Sequence, residues 1–301
     1  MSEWKKYMDE NDAFADSVAA LPHNCAANPY LTVLPDEDDP RVRHLFYDAH
    51  IPGASTWMHL IIGSERALLI DTGMGAGDLK GAVDALTGGK PLDVVNTHFH
   101  GDHSGGNGQF GKVYCPEQDV PYLKAQMAHP ETRMRPLCDE KDLVPISDQT
   151  EVIPYWDGYR FRLGDGEELE AIYTPGHTAG GCMLLDHKSG ILYSGDAVLS
   201  TPTLIIERFP NTWFPEGMTV TAFRDSLVGN RPRFEKVRKL CPGHGKQGID
   251  PGYLEEMIGC LNQIIEHPEL HELYDYVDDP GQRQIMCVGR AMVVYSDSRI
   301  R

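Results

Sequence analysis

Thr97-His98-Phe99-His100-Gly101-Asp102-His103 is the stretch on which the reading of this chain turns. Three imidazoles and a carboxylate fall within six residues. They come directly after Leu92 to Asn96, an apolar run that reads as a buried strand. Imidazole and carboxylate are the ligands that borderline divalent metals such as zinc take up. On a loop, alternate side chains can point to one side. His98 and His100 can then face one ion while Asp102 and His103 turn toward another. Gly101, Gly105 and Gly106 permit the tight backbone this needs.

Three more ligand-type residues recur downstream in the same setting. His177 follows Pro175-Gly176, Asp196 follows Ser194-Gly195, and His244 follows Pro242-Gly243. Each comes just after a strand candidate and beside a glycine. With the first cluster they make five His and two Asp, enough for two metal ions. Upstream, Ala67 to Ile70 reads as a strand that ends in Asp71-Thr72-Gly73.

The remaining pattern alternates strands and helices. Arg41 to Tyr47, Thr56 to Ile62 and Lys112 to Cys115 read as strands in the first half. Tyr159 to Leu163, Leu169 to Tyr173, Cys182 to Leu185, Ile191 to Tyr193 and Val237 to Cys241 do so in the second. Gln284 to Tyr295 carries a late strand. Helices are expected at Met8 to Val18, Pro116 to Met127, Thr219 to Leu227 and Tyr253 to Ile265. Another runs over Asp78 to Leu86, with Asp78 as its N-cap and Gly88-Gly89 as its stop. Residues 130 to 150, with Pro130, Pro136 and Pro145, read as a loop or lid. The alternation predicts an α/β layered fold. No linker divides the chain, so residues 1–301 are expected to form a single domain.

Composition narrows the function. The chain has 301 residues, 41% hydrophobic and 24% charged, in the ordinary globular range. Its 27 basic and 45 acidic residues give a net charge of −18. That balance argues against nucleic acid or an anionic membrane as partner, since phosphates need neutralising Lys and Arg. No run is long and apolar enough for a membrane span, and the polar start lacks a signal peptide's apolar core. Seven cysteines without paired short spacing fit a reducing, cytoplasmic compartment.

The order HxHxDH, then His, Asp and His, resembles the metallo-β-lactamase superfamily. Asp71-Thr72-Gly73, Thr97 to Asn107, Thr174 to Gly181, Ser194 to Ala197 and Cys241 to Gly245 are similar to its motifs, and the likeness spans about residues 40–265. It implies a four-layer αβ/βα sandwich with the metals at one edge. It implies that His98, His100 and His177 hold one metal, that Asp102, His103 and His244 hold the second, and that Asp196 bridges them. Asp71 would support a ligand or its loop from behind. The implied cofactor is two zinc ions (Zn2+), with Mn2+ or Fe2+ also suited to such ligands.

These ligands imply a dinuclear, metal-dependent hydrolase, in which hydroxide held between the metals attacks a small ester, thioester or lactone. Asp102 would be its catalytic acid toward the leaving group. Asp at position 196, where β-lactam-cleaving relatives carry Cys, favours the glyoxalase II and lactonase branches. The acidic 266–285 region does not suit glutathione, and Leu199 stands where quorum-quenching lactonases carry Tyr. The alternatives are a mononuclear iron dioxygenase acting on persulfides and a scaffold that binds without catalysis. A small-molecule substrate and a homodimer complete the expectation. Trp57-Met58-His59, Tyr155-Trp156 and Trp213-Phe214 are candidates for the substrate pocket. Arg208, Arg224 and Lys246 are candidates for a substrate anion.

Overall fold

The computed structural model describes residues 2–50, 54–132, 135–207, 213–275 and 282–301. Helix α1 (Glu3–Ala19) opens the chain. Strands β1 (Leu31–Pro35), β2 (Val42–Tyr47), β3 (Thr56–Ile62) and β4 (Ala67–Ile70) then form an antiparallel meander. Helix α2 (Leu79–Thr87) starts on Asp78, whose carboxylate accepts the Gly81 N–H, and ends at Gly88 in the left-handed conformation. Strand β5 (Leu92–Val95), short helix α3 (Gly101–Ser104), strand β6 (Lys112–Pro116), helix α4 (Val120–Ala128) and strand β7 (Glu151–Tyr155) follow. Helix α4 begins at Val120 rather than Pro116 because Pro116 ends β6, and Pro121 takes the first helical turn.

The second half runs through β8 (Arg160–Gly164), β9 (Glu167–Tyr173), β10 (Cys182–Asp186), β11 (Ile191–Gly195) and β12 (Thr203–Ile205). Then come α5 (Val220–Phe234), β13 (Lys239–Pro242) and α6 (Tyr253–Glu266). Strands β14 (Glu272–Asp275), β15 (Gln282–Val288) and β16 (Ala291–Tyr295) close the chain.

A seven-stranded sheet in the order β1 to β7 faces a five-stranded sheet in the order β13-β11-β10-β9-β8. Alternation along each strand decides which face each residue serves. Ile61, Leu68 and Ile70 point between the sheets and meet Leu163, Leu184 and Tyr193. Their neighbours Leu60 and Leu69 point outward and pack with Ala82 and Val83 of α2. On the far side, Phe223 and Leu227 of α5 and Met257 and Leu261 of α6 cover Met183 and Leu192. Helices, sheet, sheet and helices make the four-layer αβ/βα sandwich.

A third, four-stranded sheet in the order β12-β16-β15-β14 was not foreseen. The late strand expected over Gln284 to Tyr295 is a hairpin, broken at Gly289-Arg290. Its Met286, Val293 and Tyr295 bury the outer side of α6. Strands β1, β7, β12 and β14 also went unread. They are short, and each sits at a sheet edge, where a proline such as Pro154 of β7 is tolerated. The described residues between 130 and 150 are irregular, with brief 3-10 turns at Pro130–Thr132 and Glu140–Asp142. No helix among the described residues is long and apolar enough to cross a membrane.

Helix α1 buries Trp4, Asn11 and Val18 against this frame, and Asn11 adds a polar tie. Asn11 donates to the Ser200 carbonyl at 2.8 Å and accepts from the Ser200 hydroxyl at 2.6 Å. Asn11→Ala leaves both Ser200 groups without these partners, so unfolding free energy should fall by about 2 kcal/mol. Urea denaturation checks this, and an unchanged midpoint would contradict the tie.

Candidate functional site

The ligand-type residues sit where strands run out at one edge of the sandwich. His98 and His100 follow β5, and Asp102 and His103 lie in α3. His177 follows β9, Asp196 follows β11 and His244 follows β13. The β11–β13 register shifts between Tyr193 and Gly195, which turns Asp196 out of the sheet. Gly195 has φ +50°, and a Cβ there would lie 2.7 Å from the Thr97 side chain. Only glycine lets the Asp196 loop come this close to the His98 loop.

The structure brings the residues together in two groups. His98, His100 and His177 form one, and Asp102, His103, Asp196 and His244 form the other, with ligand atoms in each within 4.8 Å of one another. Asp196 lies between them: its Oδ2 is 3.6 Å from His177 Nε2 and 3.4 Å from His244 Nε2. Asp102 Oδ2 is 3.2 Å from His244 Nε2, and Asp102 is half-buried.

The outer hydrogen bonds set the imidazole tautomers. His177 Nδ1 donates to the Leu204 carbonyl at 2.8 Å, and His244 Nδ1 to the Ser55 carbonyl at 2.9 Å. His103 Nδ1 donates to Asp71 Oδ2 at 2.9 Å. The Thr97 hydroxyl donates to Asp71 at 2.9 Å, so its oxygen is left to accept from His98 Nδ1 at 3.1 Å. In each neutral ring the proton is therefore on the outer nitrogen, and Nε2 carries a bare lone pair. Those bare nitrogens face one another. His98 Nε2 and His177 Nε2 approach His100 Nδ1 at 3.1 and 2.9 Å, and His103 Nε2 and His244 Nε2 lie 3.3 Å apart. Asp196 Oδ1, buried beside them, makes no aligned hydrogen bond. Lone pairs massed this way call for cations, and a set of imidazoles and carboxylates fits divalent metal ions.

The electrostatics divide along the same line. Burial, joined by neighbouring imidazoles, pushes His98 far below its ordinary value and His100 down to about 3. Burial works the same way on His244, but the Asp196 and Asp102 carboxylates outweigh it and carry it up to about 10. The same carboxylates, with Asp71, raise His103. The second group is thus the more strongly cation-attracting of the two.

Asp71 supports this arrangement from behind. It holds a left-handed φ of +63°, unusual for a residue with a Cβ. Its carboxylate accepts the Thr97 N–H at 2.7 Å besides the Thr97 hydroxyl and His103 Nδ1. One side chain so fixes the start of the His98 loop and the His103 ring.

Asp119 does the equivalent on the other side, and the sequence reading missed it. Its carboxylate accepts the Phe99 N–H at 3.1 Å, the Thr178 hydroxyl at 2.8 Å and the Gly180 N–H at 2.7 Å. It links the loop between His98 and His100 to the loop just after His177. Full burial raises its carboxyl to about 7 despite these three donors. The signal available was slight: a lone Asp beside Pro121 at a helix start reads as an ordinary cap.

Several pocket candidates fall elsewhere. Trp57, Met58, His59 and Tyr155 are buried core residues. The Trp57 indole donates to the Gly245 carbonyl at 3.0 Å, and the Tyr155 hydroxyl to the Asn96 carbonyl at 2.9 Å. His59 packs against His44, with 2.9 Å between their Nδ1 atoms, and His44 Nε2 is 2.9 Å from Asp36. Asp36, His44 and Cys241 form a further donor group, but Lys239 Nζ, 2.8 Å from Asp36, already supplies a cation there. Arg224 is engaged with Asp225 and Asn262, and Lys246 with Glu10. Arg208 lies outside the described residues. Trp156 and Trp213 are exposed. Asp119→Ala should lower unfolding free energy by about 3 kcal/mol, because three buried donors lose their acceptor. Chemical denaturation measures this, and unchanged stability would contradict the tie.

With this geometry in view, comparison with known proteins is direct. The family model described as "Metallo-beta-lactamase superfamily" matches residues 51–266. The human "Acyl-coenzyme A thioesterase MBLAC2" is 30% identical over 230 residues, covering 64% of this chain and 72% of that protein. The "Atrochrysone carboxyl ACP thioesterase nsrC" of Aspergillus novofumigatus is 31% identical over 168 residues, 54% of this chain. The chain spans only 44% of that fungal protein's length. Among solved structures, a metallo-beta-lactamase from Pontibacter korlensis superposes with TM-score 0.55 at 20% identity, over 77% of this chain and 99% of that one. A metallo-beta-lactamase family protein from Thermus thermophilus gives 0.53 at 21% identity, over 76% and 81%. These two share the fold. The chain belongs to the metallo-β-lactamase superfamily.

Proposed function

We propose that this chain is a metal-dependent hydrolase of a small ester, thioester or lactone, with thioesters foremost. The observation that carries the reading is the convergence of seven donor side chains with their lone pairs turned inward. Two relatives named as thioesterases support the choice of thioester. On this reading His98, His100 and His177 hold one divalent ion, and Asp102, His103 and His244 hold a second. Asp196 lies between the two. Zinc suits these ligands, as do manganese and iron(II). Divalent ions bound there supply Lewis acidity, which activates water and polarises a substrate carbonyl.

The chain's own residues do the rest. Asp71, Leu204 and Ser55 lock the rings of His103, His177 and His244 through their outer nitrogens. Asp102, the more exposed of the two carboxylates, would pass a proton to the departing group. The pairing of β12 with β16 and the packing of Trp4 with Ile285 support reading the chain as one domain. Seven free cysteines support a reducing compartment such as the cytoplasm.

Asp196→Ala tests the reading. Metal content should fall, and hydrolysis of short acyl-CoA thioesters should drop to background while the circular dichroism spectrum is kept. His187→Ala is the control, because His187 pairs with Glu170 on the surface of the second sheet. Full activity and full metal content in Asp196→Ala would overturn the assignment.

A further inference from the structure

His44 of β2 and His59 of β3 are two buried imidazoles that the proposed hydrolysis does not use. They are register partners and share a strand face with Val42 and Ile61, which point between the two sheets. They are 7% and 3% exposed, and 2.9 Å separates their Nδ1 atoms. Their outer nitrogens are committed as well. His44 Nε2 is 2.9 Å from Asp36 Oδ2, and His59 Nε2 is 3.3 Å from the Pro242 carbonyl. A carboxylate and a carbonyl only accept, so each Nε2 carries a proton. One proton joins the two Nδ1 atoms, because two would collide and two bare lone pairs would repel. Three protons on four nitrogens leave one ring doubly protonated, with a positive charge.

Asp36 decides which ring that is. Burial opposes its ionisation, but hydrogen bonds from His44 and Lys239 outweigh burial and hold its carboxyl far below the usual range. The charge therefore sits on His44, against the Asp36 carboxylate. Burial drives His59 far below its ordinary value, with the charges of His44 and His103 adding to it, so His59 stays neutral. Lys239 Nζ bridges Asp36 and Asp38 at 2.8 and 2.7 Å, so two cations meet two carboxylates. Two further groups stay uncharged. Burial pushes up the Cys241 thiol of β13 and the Tyr193 hydroxyl of β11, whose ring lies 5.0 Å from His59. His44 Nδ1–H thus donates to His59 Nδ1, which leaves the His59 proton on Nε2, facing Pro242.

What these bonds hold is the loop that presents His244. Pro242 ends β13 two residues before it. The same stretch of chain around β3 grips the rest of the loop. Trp57 donates its backbone N–H to the Gly243 carbonyl at 2.8 Å and its indole N–H to the Gly245 carbonyl at 3.0 Å. The Ser55 carbonyl, just before β3, accepts His244 Nδ1 at 2.9 Å. Gln247 also donates to the Pro242 carbonyl, at 3.1 Å, but it leaves the loop itself and does not tie it to β3. Backbone and indole groups have fixed donors and acceptors. Among the holds that β3 supplies, His59 must be given its tautomer. We propose that His59 is a positioning residue for His244, and that the proton donated by His44 sets the tautomer in which it works. The proposal rests on the metal-centre reading above.

Two amide variants separate the roles. His59→Gln places an N–H near the position of Nε2, where it can still donate to Pro242. His59→Asn places its amide near the position of Nδ1, where it can accept from His44 but falls short of Pro242. In chelator-stripped protein titrated with Zn2+, one of the two zinc affinities should fall about 10-fold in His59→Asn, as when a partner behind a ligand is lost, and His59→Gln should recover most of it. Equal affinities in the two variants, or equal loss at both ions, would overturn the proposal. Hydrogen exchange reads the loop without metal. The Gly243 N–H, which donates to the Gly195 carbonyl at 2.9 Å, should exchange faster in His59→Asn than in His59→Gln, while the β10 amides keep one rate in both. Equal Gly243 rates would contradict the positioning role. If the wild type takes up fewer than two zinc ions, the two-ion reading fails and the exchange result alone decides on His59. A third measurement needs no variant. Histidine-selective 15N labelling of the wild type should show, near neutral pH, both His44 nitrogens protonated and His59 protonated on Nε2 alone. A neutral His44, or a His59 proton on Nδ1, would sink the proposal even if neither variant folds.

Discussion

The lone pairs of four histidines, turned inward at one edge of the sandwich, are the constraint around which this molecule is built. His98, His103, His177 and His244 each commit an outer nitrogen to an oxygen, which leaves the inner nitrogen bare. Asp102 and Asp196 add carboxylate oxygens to the same space. A fold can assemble so much unshared electron density only where something positive will share it. The proton-binding tendency of His103 and His244, raised by those carboxylates, is one expression of that demand. The proposed metal ions are another.

The sandwich meets the demand by pinning loops rather than by packing the ligands themselves. Each ligand-bearing loop leaves the end of a strand whose own side chains lie in a closed core, with Asp102 and His103 on α3 just beyond. Two buried carboxylates then tie the loops to one another. Asp71 joins the start of the His98 loop to His103, and Asp119 joins Phe99 to Thr178 and Gly180. Gly195 lets the Asp196 loop lie against Thr97 without a clash. Further out, Asn11 of α1 fastens Ser200, whose hydroxyl in turn accepts the Lys246 N–H next to the His244 loop. The support therefore extends from the ligands to the first helix.

Much of this was legible in the sequence because it depends on local chemistry. The HxHxDH run, the glycine beside each later ligand and Asp71 at a strand end are signals carried by single residues or close neighbours. Core strands were legible for the same reason, since apolar runs such as Ala67 to Ile70 read as strands, while their arrangement in two facing sheets came from the family resemblance. What escaped depends on contacts far apart in the chain. Asp119 gains its role only when folding brings Phe99 and Thr178 to it. The short edge strands β12 and β14 exist because β15 and β16 offer them partners, not because Thr203–Ile205 or Glu272–Asp275 has a strong strand pattern. Trp57, His59 and Tyr155 looked like pocket residues because aromatic and imidazole groups serve both cores and sites. Burial, which composition does not report, decides between these roles.

The measurement that goes most directly to the central claim is the metal content of the wild-type protein, purified without chelator, by elemental analysis. The account predicts about two divalent ions per chain, zinc or manganese foremost, as two-metal hydrolytic sites require. About one iron per chain would contradict it and point to the oxygen-using chemistry of a persulfide dioxygenase. No bound metal at all would leave the inward lone pairs to protons, and the hydrolase account would fall with them.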